Sequence, residues 1–88
     1  MTDILMNYLE ALHLLKTGKR TRIGRTDSKN NISMYYKYDF HTGLILCVQY
    51  KEQRIGESLF WGMYYQDSYE MTVQEFIKKS KENNYKFW

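Results

Sequence analysis

At 88 residues the chain has room for one domain, and a domain of this size buries only a modest share of its surface. The lone Cys47 rules out a disulfide within the chain, and no apolar run approaches the ~18 residues of a membrane span. The first residues, Met1, Thr2 and Asp3, lack the basic region of a signal peptide, so a soluble cytoplasmic protein with no membrane partner is expected.

The formal net charge of +3 hides an asymmetry. Six of the thirteen basic residues fall within 16–29 (Lys16, Lys19, Arg20, Arg22, Arg25 and Lys29), opposed only by Asp27. This stretch carries +5 and the remainder −2, and an anionic partner responds to the local field. Seventeen per cent of residues are aromatic, nine of the fifteen rings being tyrosine, and so small a protein cannot make them all interior. Some must line a ligand site or be covered by another subunit.

In chain order, Ile4, Leu5, Tyr8, Leu9, Ala11, Leu12 and Leu15 recur at spacings of three and four. That stripe predicts a helix over about 3–17, capped by Thr2 and ended at Gly18. Residues 19–25 read as a strand with Arg20 and Arg22 outward and Ile23 inward. A polar turn at 27–31 leads to a strand at 32–38, with Ile32, Met34, Tyr36 and Tyr38 on one face. Residues 39–43 form a turn with Gly43 at its positive-φ position. A central strand covers 44–50, apolar on both faces at its start, and Cys47 within it behaves as a small buried hydrophobe.

Residues 51–53 are expected to turn the chain into a fourth strand over 58–65, where Gly62 hints at a bulge. Thr72 and Glu75 spell a capping box, with Met71 and Phe76 at the staple positions flanking it, for a helix over 73–82. Residues 85–88 close the chain as a short strand, Tyr85 and Phe87 on one side. The order is that of a single α+β domain on a mainly antiparallel sheet of four to five strands. The N-terminal helix covers one face, the short second helix adds little, and the opposite face is a candidate for self-association.

Catalytic groupings are hard to find. His13 and His41 belong to no metal-spaced cluster, turn chemistry accounts for Asp39 with His41, and no glycine motif cradles phosphate. An enzyme is not expected, nor a metal or cofactor. Binding remains: Arg20, Arg22 and Arg25, with Lys19, offer donors to phosphate, and Tyr36, Tyr38 or Trp61 offers a ring to a base. The plain alternatives are a solvated edge strand for the arginines and core or subunit contacts for the rings.

The block from Leu9 to Arg20, followed by Arg22 and then Ile32, Ser33, Met34 and Tyr35, resembles the opening of a small phage family. That family includes Thoeris anti-defence proteins, which sequester cyclic ADP-ribose-type signals, and an anti-CRISPR inhibitor of a CRISPR nuclease. The resemblance covers about a third of the chain. It implies a small α+β domain that antagonises host defence by binding, as a homo-oligomer with ligand sites between subunits. Gly24, Arg25, Thr26 and Asp27 stand where members carry a Gly-Trp-Asn segment, so that part of the family's pocket is not implied. The expected partner is a cyclic-nucleotide-type anion or, alternatively, an acidic surface of a host enzyme. A nucleic-acid module ranks last, because the acidic remainder repels a long polyanion.

Overall fold

A computed structural model describes residues 5–30, 32–54 and 61–88, with side chains placed for all of these except 51–54 and 61–66. It is an α+β fold in the order α1 (Tyr8–Lys16), β1 (Ile23–Asp27), β2 (Ile32–Tyr38), β3 (Ile45–Arg54), β4 (Trp61–Met71) and α2 (Val73–Asn83). The strands form one antiparallel meander, β1-β2-β3-β4.

Helix α1 begins at Tyr8 rather than near residue 3. The Asn7 side chain caps it, its Oδ1 accepting from the amides of Leu9 (3.0 Å) and Glu10 (3.2 Å). Met6 just before it exchanges two 2.8 Å backbone hydrogen bonds with Phe87, which holds it in a β-bridge where the sequence predicted helix. Thr2, the expected cap, lies outside the described residues. At the other end Gly18 takes φ +75° as predicted, and its amide donates to Leu15.

Strand β1 starts at Ile23 rather than Lys19. The Arg20 amide still donates to the Leu14 carbonyl, so 19–22 are spent leaving the helix. β2 matches its predicted bounds, and Gly43 takes φ +73° in the 39–43 turn. β3 does not turn at 51–53. It continues to Arg54, pairing Lys51 with Tyr64 and Gln53 with Gly62, so the turn expected there is a ladder. β4 correspondingly runs to Met71, well past the predicted end at 65; residues 58–60 lie outside the described residues. The bulge is not at Gly62. The register shifts between Gln49 and Tyr50, opposite Asp67 and Tyr65, leaving Gln66 as the extra residue.

Helix α2 carries the predicted capping box at Thr72 and Glu75 and ends at Asn84 in the left-handed conformation. Segment 85–88 lies along β1: Phe87 bridges to Met6, while Trp88 exchanges two 2.9 Å backbone hydrogen bonds with Gly24.

One face of the sheet supplies Ile23, Met34, Tyr36, Ile45, Cys47 and Met71 to the core. They are joined there by Ala11, Leu12 and Leu15 of α1, by Phe76 of α2 and by Phe87. Phe76, Phe87 and Tyr36 form its aromatic centre, with centroids 5.2–5.6 Å apart. Alternate positions of the strands face away from the helices, where Tyr35, Leu46, Val48 and Tyr50 are half-buried.

Candidate anion and aromatic-ligand site

The basic stretch does not act as one surface. Lys16, Lys19 and Lys29 are exposed, and Arg20 is half-buried in the connection leaving α1. Arg22 lies on the face away from the helices, its guanidinium carbon 4.6 Å from the centroid of Tyr35. Arg25 has the strand parity of Ile23, so it turns to the helix side, away from Arg22.

On that side Arg25 is held by three contacts. Its Nε donates to Tyr36 Oη at 3.2 Å, Nη2 lies 3.0 Å from Met34 Sδ, and Cζ stacks 3.5 Å from the Tyr85 centroid. No carboxylate among the described residues forms a salt bridge with it. The guanidinium therefore keeps donors beyond the one given to Tyr36.

Two concavities meet at Arg25 and Tyr85. An open groove of about 370 Å³ is lined by Arg25, Thr26, Tyr85, Lys86 and Trp88, with Leu5 at its margin. Behind it, between the sheet and α2, lies a smaller cavity lined by Arg25, Tyr36, Tyr69, Lys79, Ser80 and Tyr85. The groove falls within the size range of small-ligand sites, and it combines two cations with two aromatic rings.

Of the seven residues the sequence nominated, the structure brings together Arg25 and Tyr36 and no other described pair. Tyr38 packs edge-on against Phe40 at 4.9 Å, in a separate hollow beside Lys37 and Glu70. Lys19, Arg20 and Arg22 line neither concavity. Trp61 lies in β4, and its side chain falls outside the described residues.

Sequence reasoning missed Tyr85, Lys86, Trp88, Lys79 and Ser80. One signal was present: Gly24 inside a strand marks a close backbone approach, and Trp88 is what approaches.

Burial favours the protonated, neutral forms of Tyr36, Tyr69 and Cys47 beside the site. Burial raises the Tyr36 hydroxyl well above the ordinary tyrosine range, against the lowering effect of the Arg25 hydrogen bond. Burial likewise pushes Tyr69 up to about 12 and raises the Cys47 thiol, leaving Cys47 a protonated, poor nucleophile. Asp39, expected to meet His41, accepts from the backbone amides of His41 (2.8 Å) and Thr42 (3.3 Å), and the His41 bond chiefly lowers its carboxyl. That is turn chemistry. Among the described residues no group of His, Cys, Asp and Glu is arranged to hold a metal ion, and no helix is long and apolar enough to cross a membrane.

No family model matches the chain, and neither a curated protein nor a solved structure matches it.

Proposed function

We propose that this protein binds, without catalysis, a compact phosphate-bearing aromatic ligand of the cyclic-nucleotide type in the groove at Arg25. The observation that carries the reading is the Arg25 guanidinium, stacked on Tyr85 and fixed by Tyr36, at the wall of a groove that also holds Lys86 and Trp88. A preorganised arginine loses little entropy on meeting phosphate, and a tryptophan or tyrosine ring is a platform for a base. The family resemblance of the N-terminal block supplies the setting: a phage-type antagonist of host defence that sequesters a nucleotide signal.

Calorimetry with a panel of cyclic nucleotides tests this. Micromolar or tighter binding is expected, lost in Arg25→Ala, weakened in the exposed Lys86→Ala, and retained in Arg22→Ala. Flat titrations across the panel overturn it.

A second reading rests on the sheet face opposite the helices, where Arg22 stacks on Tyr35 and Tyr35 contacts Tyr50 (5.9 Å) and Trp88 (5.7 Å). Such an aromatic face with a cation beside it suits a protein surface, either a second protomer of a homo-oligomer or an acidic patch on a host enzyme. Mass in solution and recovery of one host partner at moderate salt distinguish these from ligand binding.

A further inference from the structure

Ser80 is 2 % exposed, and its Oγ has no hydrogen-bond partner among the described residues. A buried hydroxyl without a partner is costly, and one that lines a cavity points to an occupant that accepts or donates a hydrogen bond there. The cavity measures about 30 Å³, whereas a water needs roughly 10–15 Å³, so it has room for more than one water and not for a whole nucleoside.

Its polar lining has one electrostatic character. Arg25 and Lys79 both line it, and Lys79 Nζ lies 5.6 Å from the Tyr69 centroid. Tyr36, Tyr69, Tyr85 and Ser80 complete the polar set, and no Asp or Glu among the described residues belongs to it. Cations and hydroxyl-bearing residues without an acid suit an anion, and a metal cation would find no charged ligand here among the described residues.

We infer that this cavity between β1, β2, β4 and α2 is a subsite for a tetrahedral oxyanion of the phosphate class, held by Arg25 and Lys79 with Ser80 Oγ as a neutral donor. The cavity shares Arg25 and Tyr85 with the groove. Where the phosphate belongs to a nucleotide, the inference rests on the function proposed above, and the rest of that nucleotide occupies the groove. A free inorganic phosphate meets the same donors.

The test uses the full chain and two ligands, inorganic phosphate and adenosine monophosphate, each titrated at ionic strength matched with chloride. Wild-type protein is expected to show a saturable rise in melting temperature with phosphate. Lys79→Ala and Ser80→Ala are expected to weaken phosphate about tenfold, the loss of one hydrogen bond to a charged group. Ser80→Ala removes the orphan hydroxyl and is expected to melt no lower than wild type without anion, so its lost response is not a failure to fold.

No saturable phosphate response, or the same response in both variants as in wild type, overturns the subsite. Phosphate binding with no gain from adenosine supports the subsite as a site for free phosphate and leaves the cyclic-nucleotide panel to decide the reading above. Adenosine monophosphate binding that is unaffected by Ser80→Ala and Lys79→Ala keeps the nucleotide reading and removes the subsite.

Discussion

Trp88 occupies the space that a side chain on Gly24 would need. The two residues exchange a pair of 2.9 Å backbone hydrogen bonds, and a Cβ built on Gly24 would lie 2.5 Å from the indole ring. The indole Nε1 also donates to Thr26 Oγ1 at 3.3 Å, so the ring is fixed against β1 as one wall of the groove. Gly24→Ala is expected to displace it. Overpacking of this kind costs about 1–3 kcal/mol, and each kcal/mol lowers the melting temperature of so small a domain by roughly 4–8 °C. Thermal melts should show that loss together with a shifted tryptophan emission, and an unchanged melt would contradict the contact.

Tyr85 tests the stacking that holds Arg25. The guanidinium carbon sits 3.5 Å from the ring centroid, close enough for a cation–π interaction worth about 0.5–2 kcal/mol. Tyr85→Phe keeps the ring, and nucleotide affinity in calorimetry should be nearly unchanged. Tyr85→Leu removes the π face while retaining apolar bulk, and affinity should fall about three- to thirtyfold as Arg25 loses its preferred orientation. Equal affinities for the two variants would mean that the ring does not position the arginine.

Local signals were legible where their causes were local. The Thr72 and Glu75 box, the positive φ of Gly18 and Gly43, and the alternation of Met34 and Tyr36 depend on neighbours within a few residues, and each appears as read. What failed depends on partners far along the chain. The apolar stripe extends back to Ile4 and Leu5, yet Phe87 pairs with Met6 in a bridge and leaves Asn7 to cap the helix. Residues 51–53 look polar enough to turn, yet β4 pairs with them. The site itself was half legible. Arg25 was nominated for its charge, and the alternation that turns Ile23 inward turns Arg25 with it, but Tyr85, Lys86 and Trp88 reach it only because segment 85–88 returns to Gly24. A periodicity argument cannot see a pairing across such a separation.

The capping box of α2 supports the cavity at one remove, because this helix carries Lys79 and Ser80 to it. Thr72 Oγ1 accepts from the Glu75 amide at 3.1 Å and Glu75 Oε1 accepts from the Thr72 amide at 3.4 Å. Thr72→Ala should cost about 1 kcal/mol of stability, and Thr72→Ser should restore most of it. Denaturant midpoints measured on the three proteins check this. Indistinguishable midpoints for alanine and serine would show that the cap contributes nothing to the folded state.

Alkaline pH should unfold the protein through its buried phenols. Tyr69 holds its proton up to about 12 in the folded chain against 10.0 when solvated, chiefly because burial disfavours the phenolate, and Tyr36 shifts in the same direction. Between those two values the unfolded chain has lost a proton that the folded one keeps, so fewer protons are bound on unfolding and stability falls as pH rises. The Tyr69 contribution is thus intact below about pH 10 and lost through about pH 12. Tyr69→Phe cannot ionise and should escape that part of the decline. The difference in denaturant midpoint between wild type and Tyr69→Phe should be flat from neutral pH to about 10 and then move in favour of the phenylalanine. Parallel curves across the whole range would show that the Tyr69 hydroxyl is solvated in the folded protein.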